Sequence, residues 1–213
     1  MKIGIFDSGK GGTTIYQAIK KVLPNEEYLY VADSKNCPYG EKSYTRLMEI
    51  VTDIVENLKE WGATIIVIAC NTATTKCIRK LRKMYPELKF VGTEPAIKQA
   101  VDSDAKNILV MATPGTIKSE RTRSLLKENQ KEGQNIKLLA CPGLADAVEF
   151  DTGIDQKLDE LLSGEREYDA VVLGCTHYSL IKDKIQKYFP EAELIDGCDG
   201  VASQVLKLTK NRT

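Results

Sequence analysis

The chain lacks the features that tie a protein to nucleic acid, a membrane or a common cofactor. Its 213 residues carry 30 Lys and Arg against 30 Asp and Glu, so the net charge is zero. That balance leaves no electrostatic footprint for nucleic acid or an anionic membrane surface. The basic residues are scattered, apart from a short stretch at 76–83 that reads as the solvated face of a helix. No apolar run is long enough to cross a bilayer, and the opening MKIGIF reads as an immediate strand rather than a secretion signal. A cytoplasmic location is expected. The six cysteines form no CxxC pair and no zinc-ligand spacing, so free thiols in a reducing compartment are expected and no metal is. There is no Walker A loop, no GxGxxG fingerprint and no lysine in a recognisable pyridoxal phosphate motif, so no cofactor is expected either. Histidine occurs once, at His177.

What is present is an internal duplication. IIVIACNTATTKCIRKLRKMYP at 65–86 matches AVVLGCTHYSLIKDKIQKYFP at 170–190, with Cys70 and Cys175 set 105 residues apart. Ile3 falls on Ile108 at the same offset, and Cys37-Pro38 falls on Cys141-Pro142 one residue short of it. Two like units facing each other would hold two thiols on opposite walls of one cleft. That arrangement suits chemistry that must reach both faces of one atom.

Short apolar runs alternate with amphipathic stretches. Strands are expected at 2–6, 28–32, 64–69, 89–92, 107–112, 137–141, 170–174 and 193–195. Helices are expected at 13–22, 44–61, 72–84, 95–101, 117–132, 144–150, 156–163, 179–188 and 200–210. The runs at 64–69 and 170–173 are apolar on both faces, as in central strands covered on both sides. Alternation of this kind predicts an α/β fold of two similar doubly wound parallel-sheet domains, related by a pseudo-twofold axis, with the active site between them. Residues 1–93 form the first expected domain and 94–199 the second. A C-terminal helix at about 200–213 is expected to pack back on the first.

The candidate site residues fall at carboxyl ends of strands, where open parallel sheets bind ligands. Asp7-Ser8-Gly9-Lys10-Gly11-Gly12 joins a strand to a helix. It offers free amides to an anion, or forms a tight turn capped by Asp7 or Ser8. Cys70-Asn71-Thr72 and Cys175-Thr176-His177 each open a helix. There the helix dipole is expected to stabilise a thiolate and lower its pKa. His177 is placed to exchange a proton with a neighbouring thiol. Pro38-Tyr39-Gly40 reads as a cleft loop or a plain turn. Thr113 stands where Ser8 stands in the first half, and Thr113 and Thr116 either bind a ligand or cap a helix. Glu149 has a surface carboxylate as its default reading. Cys77 reads as core packing. Cys37, Cys141 and Cys198 read as structural or peripheral.

Taken together, FDSGKGG, CPYGEKS, ACNTAT, TEPAIK, TPGTIKS, CPGLADAVE, GCTHYSL and a weaker DGCDGVASQVLKL resemble the cofactor-independent glutamate racemases of the aspartate/glutamate racemase superfamily. The strings keep the family's order over nearly the whole chain. His177 resembles the glutamate branch, since aspartate racemases tend to carry Glu there. The resemblance implies that Cys70 and Cys175 are the acid/base thiols, assisted by Asp7 and His177 respectively. It implies that Ser8, Pro38, Tyr39, Gly40, Asn71, Thr72, Thr113, Thr116 and Thr176 hold the substrate, with Glu149 an acid close by. It further implies D-glutamate supply for peptidoglycan, with glutamate as the small-molecule partner and a homodimer left open. Neither nucleic acid nor membrane is expected as a partner. Lys10, Thr13 and Thr14 depart from residues that are commonly apolar or small. The stretch between Glu149 and Gly174 looks short, and family members usually continue past the DGCDG segment. Competing readings are a racemase for aspartate or another amino acid, and a catalytically silent binding homologue. A cysteine hydrolase is disfavoured, because it needs only one thiol.

Overall fold

The computed structural model describes residues 1–165 and 167–210. Its first half runs β1 (Lys2–Asp7), α1 (Thr13–Val22), β2 (Glu27–Ala32), α2 (Tyr44–Glu60), β3 (Ile65–Ile68), α3 (Asn71–Met84) and β4 (Lys89–Gly92). A link carrying α4 (Ile97–Asp102) leads to the second half. That half runs β5 (Asn107–Ala112), α5 (Pro114–Ile117), α6 (Glu120–Asn129), β6 (Asn135–Ala140), α7 (Leu144–Glu149), α8 (Ile154–Leu162), β7 (Ala170–Leu173), α9 (Thr176–Leu180), α10 (Lys182–Gln186) and β8 (Glu193–Ile195). The described chain closes with α11 (Cys198–Lys210).

Each half holds a four-stranded parallel sheet, ordered β2-β1-β3-β4 and β6-β5-β7-β8. The registers repeat as the duplication requires: Ile3 pairs with Ile65, and Ile108 pairs with Ala170. Every residue of β3 and β7 is buried, which explains why these runs are apolar on both faces. On the first sheet, Leu47, Val51, Val55 and Leu81 of α2 and α3 cover one face. Ile15 and Ile19 of α1 cover the other, joined by Val201 and Val205 of α11. On the second sheet, α7 to α10 pack Leu144, Val148, Leu158 and Ile185 over one face. The other face meets Ile97, Val101 and Leu125 of α4 and α6. Among the described residues, no helix is long and apolar enough to cross a membrane.

Several helices differ from expectation. The helix expected over 117–132 is shorter: α5 ends at Ile117, and Ser119 then accepts from the Thr122 amide at 3.1 Å and starts α6, which ends at Asn129. The stretch 179–188 divides at Ile181, whose backbone (φ −114°, ψ 25°) leaves the helical region. The helix expected from Pro95 begins at Ile97. The C-terminal helix starts at Cys198, and residues 211–213 of its expected span lie outside the described residues. Single 3₁₀ turns at Lys10–Gly12, Ser34–Asn36 and Tyr39–Glu41 were not expected.

Candidate active site

The carboxyl ends of the strands in one half meet those in the other, in a crossed pattern. Beyond β1, Asp7 Oδ2 accepts a hydrogen bond from the Thr176 hydroxyl beyond β7, at 3.0 Å. Beyond β3, Thr72 Oγ1 lies 2.9 Å from Thr113 Oγ1 and 3.2 Å from Thr116 Oγ1, both beyond β5. Because β1 corresponds to β5 and β3 to β7, each contact is the counterpart of the other with the halves exchanged.

Two glycines make the approach possible. A β-carbon on Gly11 would lie 2.6 Å from the His177 amide nitrogen and 2.7 Å from Thr176 Oγ1. One on Gly9 would lie 2.3 Å from a Glu149 carboxylate oxygen. Only glycine lets the loop after β1 touch the opposite wall.

Cys70 and Cys175 sit directly before α3 and α9, at 6% and 7% exposure. Burial pushes the Cys70 thiol up to about 12, and the nearby Asp7 charge adds to this. The Ala73 and Thr72 amides and the Ser8 hydroxyl pull the other way. Burial raises Cys175 well above the ordinary thiol range, and the charge of Cys70 is the next cause; the His177 amide opposes it. Each sulfur thus feels the same small site. The expectation of depressed thiol pKa values is corrected here. The helix-start amides act in the anticipated direction, but desolvation by burial outweighs them.

Asp7 is fully buried, and burial raises its pKa against the influence of His177, the Gly9 amide and the Thr176 hydroxyl. Its Oδ1 accepts from the Gly9 amide at 3.0 Å. His177, only 1% exposed, stands between a carboxylate and a thiol. Its Nε2 is 2.8 Å from Glu149 Oε2, and its Nδ1 is 3.9 Å from Cys175 Sγ. Glu149 is therefore not the surface carboxylate of its default reading. It is buried and also accepts from the Lys10 amide at 2.8 Å and from the Ser34 hydroxyl. Burial works against its ionisation, but Ser34, the Lys10 amide and His177 hold the carboxyl below its usual range.

The remaining expected residues divide. Asn71 and Thr72 are buried in the first turn of α3, and Gly40 lies against Thr113. Tyr39 is buried, but its hydroxyl is spent on Asp33 Oδ2 at 2.7 Å, so it offers the cleft its ring and backbone. Pro38 follows a cis peptide bond from Cys37. Cys77 and Cys141 lie in the cores, as read. Sequence reasoning missed Ser34 and Asp33, whose partners lie on other loops and leave no local signal. It also missed the Lys10 amide, because a backbone donor carries no residue signature.

The glutamate racemase of Sulfurovum sp. (strain NBC37-1) is 38% identical over 222 residues, covering 100% of this chain and 84% of that protein. That of Aliarcobacter butzleri (strain RM4018) is 40% identical, covering 100% and 85%. Escherichia coli glutamate racemase, solved with L-glutamate and the activator UDP-MurNAc-ala, superposes with a TM-score of 0.87 at 32% identity, over 99% of this chain and 82% of that one. The aspartate racemase of Picrophilus torridus, 19% identical with a TM-score of 0.68, shares the fold. The family model described as Asp/Glu/Hydantoin racemase matches residues 3–205, and with these relatives it establishes that the chain belongs to that racemase family.

Proposed function

We propose that this chain interconverts L- and D-glutamate by two-thiol proton transfer, and that it supplies D-glutamate for peptidoglycan. The reading rests on one observation above the rest. Two buried cysteines stand at equivalent positions of two like sheets, each directly before a helix. Racemisation removes the α-proton from one face of the carbon and returns one to the other. One sulfur acts as thiolate base while the other acts as thiol acid, and turnover exchanges their states.

The α-proton of an amino acid is only weakly acidic, and a general base works best with a pKa near the operating pH. Burial raises the Cys70 thiol, and the Ala73 and Thr72 amides and the Ser8 hydroxyl are the groups that favour its thiolate. Asp7 is the group beside Cys70, and His177 is the group beside Cys175. Glu149 holds the imidazole in place. Developing negative charge on the α-carbon and its carboxylate would meet the amides and hydroxyls of Ser8, Asn71, Thr72 and Thr176. Thr113, Thr116 and the Pro38-Tyr39-Gly40 loop complete the substrate walls.

The test is α-proton exchange in D2O, followed from each enantiomer. Cys70→Ser and Cys175→Ser are each expected to lower racemisation at least about 100-fold, the scale of a lost general acid or base. Racemisation at the wild-type rate with either thiol removed would reject the mechanism. Aspartate turned over faster than glutamate would reject the substrate.

A further inference from the structure

The cleft holds a third sulfur that the proton-transfer scheme leaves idle. Cys37 lies on the loop after β2, part-exposed, and its thiol is free. One ligand atom from each of Cys37, Glu149 and His177 lies within 4.8 Å of the others. The three residues come from separate loops and helices, so no spacing motif reveals them, and the expectation of no metal set was blind to them.

We propose that Cys37, Glu149 and His177 form a site for a thiophilic divalent cation such as Zn2+, whose binding reversibly silences the cleft. Thiolate, imidazole and carboxylate are the donors that a tetrahedral zinc site uses. With metal–ligand distances of about 2.0–2.3 Å, such a site sets its donors roughly 3–4 Å apart. The observed separations need only rotamer-scale movement: Cys37 draws inward and the 2.8 Å His177–Glu149 contact opens slightly. Glu149 is already oriented by the Lys10 amide and Ser34, as the supporting hydrogen bonds of a metal ligand require. Burial is the first cause that raises the Cys37 thiol, and the negative charges of Glu149, Asp146, Cys70 and Asp7 add to it; such surroundings favour a cation at this point. Three protein donors leave a fourth position for water on the part-exposed side of Cys37.

The charge accounting is simple. The Cys37 thiol gives its proton to solvent, Glu149 binds as carboxylate, and one nitrogen of neutral His177 binds in place of its present contact. The thiolate and carboxylate neutralise the divalent charge, and one proton is released per metal. A cation on Nε2 leaves Nδ1 beside Cys175 but keeps the imidazole from taking up a second proton, so the ring no longer exchanges protons freely with that thiol. The inhibitory consequence rests on the racemase reading, whereas the site itself does not.

The whole chain, stripped with a chelator, is titrated with Co2+ as a spectroscopic probe. Expected are one metal per chain, a thiolate-to-cobalt charge-transfer band and the intense visible bands of a tetrahedral site, all displaced by Zn2+. Zn2+ should inhibit glutamate turnover with the same stoichiometry, and chelator should restore it. In Cys37→Ser the charge-transfer band should vanish and the half-inhibiting Zn2+ concentration should rise at least tenfold, with metal-free activity unchanged. Glu149→Gln should weaken Co2+ binding at least tenfold. A charge-transfer band that survives in Cys37→Ser, or Co2+ binding unaffected by Glu149→Gln, would overturn the site by placing the metal on Cys70 and Cys175. Absence of the band in the wild type would overturn it also. The cobalt spectrum needs no turnover, so failure of the metal site and failure of the racemase reading are separately visible.

Discussion

Gly11 bears a steric constraint in the cleft that no side-chain rotation relieves. A single added methyl group would enter the space of the His177 backbone nitrogen, which cannot swing aside as a side-chain tip can. The halves must then part by a few tenths of an ångström or more. Misplacement on the ångström scale costs about 100-fold in rate when geometry carries the catalysis. Gly11→Ala is therefore expected to lose about that much kcat/KM while its far-ultraviolet circular dichroism stays unchanged. Loss of soluble folded protein would place the constraint in folding instead. Asp7 presents the opposite case, a residue that weakens the fold it serves. Burial raises its pKa, so the folded state holds the proton more tightly than the unfolded chain does. Stability then declines as pH rises from the unfolded carboxylate value of about 3.9 through the folded one. Asp7→Asn keeps the shape and removes the charge. Its urea midpoint at pH 7 should exceed that of the wild type, by about 1 kcal/mol if the gain is typical of single stabilising changes. The gain should fade as pH approaches 4, while racemisation falls at least about tenfold. A destabilised Asp7→Asn at neutral pH would contradict the argument.

At the scale of elements, α11 is the clearest case of a late segment completing an early sheet. Val205 is fully buried against a cluster that includes Ile3, Ile15 and Ile19. Val205→Ala should cost about 1–3 kcal/mol, read as a lower urea midpoint at unchanged slope. An unchanged midpoint would mean that α11 contributes little to the first half. A helix was expected here because VASQVLKL carries apolar residues at helical spacing, though the spacing does not say which sheet it covers, and the strands were equally plain where apolar runs were short and bounded. The late start of the helix expected over 117–132 had a signal in Ser119-Glu120, a capping residue followed by an acid, hidden within an otherwise helical pattern. The break at Ile181 had none, since an isoleucine in mid-pattern gives no warning. Among the site residues, Cys70, Cys175 and His177 were legible because the duplication marked them. The Glu149–His177 contact joins residues 28 apart, and Lys10–Glu149 joins residues 139 apart. Pairings of that range are set by how the halves meet, which no local pattern encodes.

Taken as a whole, the molecule is two similar half-sites closed on each other by exchanged contacts, Asp7 with Thr176 and Thr72 with Thr113. This is the geometry of a two-fold interface built within one chain. One contact at its rim breaks the symmetry. Lys10 Nζ reaches Asp151 Oδ2 at 2.7 Å. Asp151 is held at φ 52°, a left-handed conformation that Asp tolerates better than most residues. The pair has the look of a latch, but magnitude argues otherwise. The Asp151 side chain is 76% exposed, and ion pairs of that kind contribute about 0.2–1 kcal/mol. The stronger tie at Lys10 is its backbone amide, which donates to the buried Glu149 carboxylate and survives any change of side chain. A double-mutant cycle of Lys10→Ala and Asp151→Asn should therefore give a coupling below about 1 kcal/mol that largely disappears in molar salt. Turnover of glutamate should change less than about threefold in either single variant. A coupling above about 2 kcal/mol, or one that persists in salt, would make the ion pair rather than the amide the element that keeps the two walls together.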